Sequence, residues 1–539
     1  MKRGCWWGLP SVIYLVAFCA MTWPAILSFN THFFCDAGDG LQNVWNIWWV
    51  RKAILELHQS PWWTTWLHYP YGTTLLGHTL SPFNGLLAIP LSTVLSQIQT
   101  YNALVILAFV LGGWTAFLLA HDVIGAYWPS VVAGFAFTFS GYHFAHAEGH
   151  LNLVSLQWVP LFVLCWLRLL REPSVKRGLW AAATLALVIL CDYYYFAYCV
   201  ALGLLTSVWR VAETRDPFVL LRDPFRRALA AFVLCALVTS GLLAIALLIQ
   251  SARDPFVGVH DPAAFSTDLL APFVPGGHSA YRKVTESYWS SLRGNIEESN
   301  VYLGLTVVAL AAWGFVRGRN AGFRDRWMWL VLALVFFVAS LGPRLVCGGR
   351  TLMGAHMPYA LLEWAFPPLR LSGCPVRMMV VVALAVSVMA GAGLNAILRQ
   401  KTKGRFVFAI LAASAVGLDL LPRAMTLTRP EVPEWVYALR ASEGPGGLLD
   451  LSGTNGFQAL YYQTIHGKPM AGGFVSRYSA GVLGNLQQML GYVQRGDFDA
   501  LRDIYGFRYV VTRGAEPPVN GGAGQGSDIR VYDLRRTIP

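Results

Sequence analysis

The feature that most constrains this chain is the recurrence of long apolar runs along its first 420 or so residues. A helix that crosses a bilayer needs about 20 largely apolar residues, with a range of about 17–25. Such runs occupy 6–27, 101–120, 129–144, 151–169, 228–249, 301–316, 327–345, 376–397 and 404–421. The stretch 178–211 is too long for one helix and is broken by Asp192 and three tyrosines, so it divides into a tight hairpin, 178–191 and 193–211. The total is about eleven spans. Backbone polar groups find no water in hydrocarbon, so these runs must be helical. The expected fold is an all-α polytopic membrane protein.

Composition agrees. Only 13% of residues are charged and 55% are hydrophobic, with a mean hydropathy of +0.47. A soluble chain would carry about 25% charge. That excludes a conventional soluble enzyme, a disordered hub and a fibrous protein. The excess of 41 Lys+Arg over 29 Asp+Glu would suggest nucleic acid in a soluble protein. Here it is what basic cytoplasmic loops require, and no nucleic-acid partner is expected. Nine cysteines are scattered without a CxxC pair, which argues against a metal cluster or disulfide scaffold; a Cys347–Cys374 bridge stays open.

The basic residues also set the expected topology. Lys2 and Arg3 precede the first run, which is read as an uncleaved helix with its N-terminus in the cytoplasm. The stretch 80–96 is apolar but contains Pro82 and Pro90. If it stays in the outer interface, the Arg/Lys clusters at 168–177, 210–227, 317–326 and 399–405 all fall on the cytoplasmic side. If it crosses, all fall outside. The positive-inside bias therefore makes 80–96 re-entrant or interfacial. The expected division is a transmembrane domain, 1–421, and a small extramembrane α/β or mixed domain, 422–539. Loops 28–100, 145–150, 250–300 and 346–375 face outward, as does that C-terminal domain, across a bacterial cytoplasmic membrane. Within it, Phe507–Thr512 and Ile529–Tyr532 look like strands joined by a surface loop at 512–527.

Polar residues at membrane level are costly and mark function. Asp36 and Asp39 follow the first helix directly. They could share a hard divalent cation such as Mg²⁺ or Mn²⁺, or divide between base and ligand. Equally, they could cap a helix. The next segment, Leu41–Leu57, carries tryptophans at 45, 48 and 49 with Arg51 and Lys52, and reads as an amphipathic helix lying in the interface. The short loop Tyr142–Asn152 packs three histidines and Glu148 into a few residues. An extended chain would put His146, Glu148 and His150 on one side, whereas a helix would pair His146 with His150. Either arrangement could bind metal or phosphate, or simply tie the helices together. Arg370 and Arg377 lie on the face where positive charge is disfavoured, which suits a grip on a lipid phosphate. In the C-terminal region His466, Lys468, Ser476 and Arg477 fall close together and could meet an anion.

One chemistry fits an acidic pair after the first helix, polar outer loops and basic residues at the headgroups. It is transfer of a sugar from a polyprenyl-phosphate-linked donor, which needs a base for the acceptor hydroxyl and positive charge for the leaving phosphate. No glycine-rich nucleotide fingerprint occurs, and no nucleotide cofactor is expected. The alternative is a transporter or flippase for a lipid-linked glycan. That class favours ionisable residues at the bilayer midplane and inverted repeats, and neither is evident here.

The chain resembles the large integral-membrane glycosyltransferases of the GT-C fold, bacterial branch, and more narrowly their YfhO-like relatives. Asp36–Asp39, H-A-E-G-H-L-N at 146–152, E-x-N-x-Y-x-G at 298–304, Pro375-x-Arg377, Q-T-I-H-G-K-P at 463–469 and Ser476-Arg477 carry the resemblance. It implies Asp36 or Asp39 as catalytic base or metal neighbour and Glu148 as a second acidic ligand or orienter. A divalent cation, where used, would sit with Asp36, Asp39 and Glu148. It implies His146, His150, Arg370, Arg377, His466, Lys468 and Arg477 as substrate or phosphate contacts, and a lipid, envelope glycan or protein acceptor. A WWD-type tripeptide in the C-terminal region is absent, which argues against N-glycosylation of protein sequons.

Overall fold

Each of the eleven expected runs contains a helix. The computed structural model describes residues 4–258, 260–353, 357–365, 369, 373–513 and 529–534. Among these, five helices are long and apolar enough to cross a membrane: Gln97–Ile124, Leu151–Arg171, Tyr193–Thr214, Phe225–Arg253 and Pro375–Leu398. Other runs hold shorter helices, such as Tyr127–Thr138, Val175–Ile189, Leu305–Arg317 and Arg405–Asp419. The expected run 129–144 is interrupted because the chain turns after Thr138 and restarts as the short helix Gly141–His146. The 80–96 stretch supplies only the ten-residue helix Pro82–Leu91. At 1.5 Å per residue it is about 15 Å long, half of a hydrocarbon core of about 30 Å. Among the described residues no disulfide joins Cys347 to Cys374.

The chain forms two compact units. One comprises Met1–Phe29, Asn102–Ala244 and Val259–Thr426; the other comprises Asn30–Tyr101, Ile245–Gly258 and Leu427–Pro539. This differs from the linear division expected at 421. The first outer loop groups with the C-terminal region and not with the helices that flank it in sequence.

At the centre of the first unit is Pro375–Leu398, whose apolar stretch is 94% buried. It packs against Leu305–Arg317, Arg326–Ser340 and Tyr127–Thr138. Small residues make this possible, since helices in lipid associate by close backbone approach. A Cβ on Gly393 would overlap the Leu310 carbonyl, and one on Gly314 would overlap that of Met389. The expected hairpin forms around Asp192, whose carboxylate accepts from the N–H groups of Tyr194 (2.8 Å) and Tyr195 (3.0 Å) and so caps the helix Tyr193–Thr214.

The second unit is α/β. Its three-stranded sheet has Phe507–Arg513 in the middle, parallel to Gly447–Leu451 and antiparallel to Ile529–Asp533. Both expected strands are present, and most of the loop expected between them lies outside the described residues. The segment read as an interfacial amphipathic helix is a protein-packed one. Helix Asp39–Arg51 lies against Pro82–Leu91 and Gly456–His466. Trp45 and Trp49 are fully buried in a core with Leu460, Trp435, Leu448 and Tyr509. An apolar stripe signals that a helix needs covering, not whether lipid or protein covers it.

Candidate functional site

In the first unit, motifs far apart in sequence converge. The segment Glu298–Gly304 presents alternate residues to different partners. Glu298 receives Arg377 Nε at 2.8 Å, and Arg377 Nη2 reaches the same oxygen. Asn300 donates to the Gly141 carbonyl at 3.0 Å, and the Tyr302 hydroxyl donates to Asp419. Gly304 closes the segment at φ +87°, where a side chain would be strained. Pro375 opens a helical turn that brings Arg377 to Glu298 and lays its guanidinium over Tyr194, 4.6 Å from the ring centre.

The histidine-rich loop adopts the helical alternative. His150 N–H bonds the His146 carbonyl at 2.8 Å, and the two Nδ1 atoms lie 3.3 Å apart. His146 Nε2 sits 3.8 Å from Glu298 Oε2, and neither atom has a hydrogen-bond partner among the described residues. Both side chains are buried. Burial pushes His146 well below the usual imidazole range despite the nearby carboxylate, so it is neutral at pH 7. Burial alone would raise the Glu298 carboxyl. Arg377 overrides it and brings it down to about 2. Glu148 is buried and faces Arg423, Nη2 to Oε2 3.4 Å. Asn152 donates to Asp192 at 2.8 Å, tying this loop to the hairpin cap. His143 is structural, within hydrogen-bond distance of the Thr138 and Val154 carbonyls.

Three of the expected site residues thus meet Glu298 directly or through one another: His146, His150 and Arg377. Arg377, only 5% exposed, is committed to Glu298 and Tyr194, not held out toward a lipid phosphate. Arg370 lies outside the described residues. Sequence reasoning noticed Glu298 without pairing it, and missed Arg423 altogether. Only the fold brings residue 423 back to the 148 loop.

The second unit holds the acidic pair. Asp36 Oδ1 accepts from Gly38 N–H (2.8 Å) and Gly40 N–H (3.0 Å), so it shapes the turn entering helix Asp39–Arg51. The capping alternative describes Asp36. Asp39 is the first helical residue, half-buried, and its charge reaches the ring of His78. Around this helix Gln42 Nε2 donates to Ser476 Oγ (2.9 Å), and Ser476 N–H donates to His78 Nδ1 (3.1 Å). His78 Nε2 meets Asn46 Oδ1 at 2.8 Å. Burial holds His78 down at about 3, so its ring is neutral. These contacts bring the Ser476–Arg477 segment across the helix that Asp39 begins, and Arg477 is buried there to 8% exposure.

His466 and Lys468 are structural. Burial, then the neighbouring Lys468, holds His466 at about 3. Its Nδ1 accepts from Lys468 N–H, while Lys468 Nζ donates to the Ser442 carbonyl at 2.7 Å. The adjoining Gln463 links the Trp45 indole (2.6 Å) to the Trp66 carbonyl (2.6 Å).

For the expected divalent cation, no group of three or more His, Cys, Asp or Glu among the described residues is arranged to hold a metal ion. One Asp36 oxygen is already engaged by backbone N–H groups.

The chain is similar to the arabinofuranosyltransferase AftD from Mycobacteria, at 15% identity and a TM-score of 0.57, over 97% of this chain and 36% of that one. It is also similar to the oligosaccharyltransferase AglB of Archaeoglobus fulgidus (13% identity, TM-score 0.47, 95% of this chain and 70% of that one). ArnT from Cupriavidus metallidurans aligns at 12% identity and a TM-score of 0.48, over 93% of this chain and 92% of that one. The chain spans about a third of the length of AftD and shares its fold, which is of the GT-C type. No curated protein matches. Residues 11–418, about three quarters of the chain, match the profile described as "Domain of unknown function (DUF6311)", so the chain belongs to that family.

Proposed function

We propose that this member of the DUF6311 family transfers a sugar from a polyprenyl-phosphate-linked donor. The acceptor is a lipid, envelope glycan or protein on the outer face of the bacterial cytoplasmic membrane. The observation that carries the reading is the fold shared with an arabinofuranosyltransferase over 97% of the chain. The motifs at 36–39, 146–152 and 298–304 favour a YfhO-like relationship within that fold.

The second unit offers the two groups that the reaction needs. Asp39 takes the proton of the acceptor hydroxyl as the acceptor oxygen bonds to the anomeric carbon. The bond from that carbon to the phosphate oxygen breaks, and the phosphate leaves with the electron pair. Arg477 neutralises the charge that develops there. Asp36 positions Asp39 by holding the turn ahead of it. In the first unit, Arg423, steadied by Glu148, is a partly exposed cation. Arg377 is the counter-ion that keeps Glu298 charged. No step passes through a metal ion.

The test is mass spectrometry of glycolipids and envelope polymers from a deletion strain. The strain is complemented with wild type, Asp39→Asn, Asp36→Asn or Glu148→Gln at matched expression. With wild type the glycan is complete; without the gene one sugar is missing and its donor accumulates. Asp39→Asn leaves the glycan incomplete, since a lost general base costs on the order of 10²–10⁴ in rate. Full restoration by every variant overturns the catalytic assignment. Accumulation of a complete lipid-linked glycan in the deletion replaces transfer with transport.

A further inference from the structure

A cavity of about 670 Å³ lies where helix Trp158–Arg171 ends and helix Val175–Ile189 begins, and none of the residues given a role above lines it. Its lining brings together Arg168, Arg171, Lys176 and Arg177 with only two carboxylates, Asp122 and Glu172. Asp122 is shared, receiving Arg168 at 2.7 Å and Arg171 at 2.6 Å. Arg177 holds Glu172. Lys176 is exposed and has no acidic partner among the described residues. Arg171 also reaches Asp325 at 3.4 Å. Three carboxylates thus meet four cations, and the Lys176 charge is left over beside one concave space, of the size that small ligands occupy.

The surroundings are those of a headgroup level. Trp180 lines the cavity and is 59% exposed, and Val175 and Leu179 on the same helix are also exposed. An indole beside basic side chains at the end of apolar helices suits the boundary between hydrocarbon and water. Guanidinium and ammonium groups gathered there recognise phosphate. The 168–177 cluster is one of those that the positive-inside bias assigns to the cytoplasmic leaflet, where anionic lipids provide such phosphates.

We propose that this cavity is a binding site for the phosphate of an anionic glycerophospholipid, with Lys176 and Arg177 gripping the phosphate and Trp180 packing against the glycerol region. The site is separate from the transfer chemistry, so either can fail without the other.

The test uses the full chain purified in detergent and native mass spectrometry after addition of phosphatidylglycerol or phosphatidylcholine. The expected result is retention of phosphatidylglycerol in preference to phosphatidylcholine. Occupancy should fall on the order of tenfold in Lys176→Gln/Arg177→Gln, as expected for two basic residues at a membrane surface. The control, Arg222→Gln/Arg226→Gln, removes two exposed cations outside the cavity and should keep wild-type occupancy. Size-exclusion profiles and thermal transitions matching wild type establish that both variants fold. Equal loss in both variants overturns the site in favour of diffuse charge. Displacement of the lipid by equimolar inorganic phosphate assigns the cavity to a free anion and overturns the lipid. An acidic protein that co-purifies with wild type and is lost from Lys176→Gln/Arg177→Gln, with lipid occupancy unchanged, overturns it too.

Discussion

Two helices of this protein look alike in sequence and differ in what surrounds them. Pro375–Leu398 and Phe225–Arg253 are both long and each carries an apolar stretch of spanning length, yet that stretch is 94% buried in the first and 6% in the second. The second is the more apolar of the two. Leu234, Leu237, Val238 and Leu242 are each more than half exposed, a surface suited to hydrocarbon. The buried helix is built differently, with Gly391, Gly393 and a series of alanines where neighbouring backbones approach, and with Arg377 at its start. In a membrane protein hydrophobicity therefore says that a helix is out of water, while residue size says whether it is out of lipid as well.

The comparison breaks most readily at Arg377. Arg377→Ala leaves the Glu298 charge buried without its counter-ion, which costs about 3–5 kcal/mol. The folded fraction after heating in detergent, read by size exclusion, should collapse. Arg377→Gln with Glu298→Gln should recover part of it, because the charge to be compensated is gone. A null effect of Arg377→Ala would show that Glu298 is solvated and the helix start is not buried. Next in size is Gly393→Leu, whose side chain has nowhere to go against the Leu310 carbonyl and should cost about 1–3 kcal/mol of thermal stability.

Acid tests the same helix start from its neighbour. The folded pKa of His146 lies below the unfolded value near 6.5, so the unfolded state binds the extra proton first. Its contribution to stability is complete above that value and is lost as pH falls below it. Glu298, held at about 2 against an ordinary value near 4.5, loses its contribution only at lower pH, on the way down to about 2. Melting temperature should therefore fall between pH 7 and 5, and His146→Gln should make that part of the profile shallower, with His78 and His466, also held low by burial, supplying the rest of the slope. A wild-type profile flat from pH 7 to 5 would contradict a buried neutral imidazole. The smallest effect belongs to the other helix: Leu234→Ala, on its exposed side, should change stability by no more than about 0.5 kcal/mol. A larger loss would mean that a partner subunit covers it.

The helices were legible because apolar period and length report directly on the need to leave water. The hairpin was legible at Asp192, a side chain able to cap the helix that follows. The acidic pair was visible as a pair, but its split into a turn-former and a helix-starting carboxylate depends on which N–H groups face Asp36. The tryptophan-rich helix after Asp39 misleads for a related reason. Its pattern calls for an apolar cover, and the cover comes from residues more than 400 positions later, Leu460 and Gln463 among them. Arg377 stood out as a costly charge, but the sequence could not pair it with Glu298, which stands 79 positions earlier and meets it only in the fold.

The sequence by itself determined that the chain is helical and bilayer-soluble over most of its length, and where polar groups interrupt the apolar runs. Both follow from local hydropathy, which needs no partner. Tertiary structure alone decided which interruptions meet. It turned H-A-E-G-H, E-x-N-x-Y-x-G and P-x-R into one buried network, and it joined the first outer loop to the C-terminal region. A buried charge must be neutralised within a few ångströms, and that distance is set by how helices pack, not by how far apart residues stand along the chain.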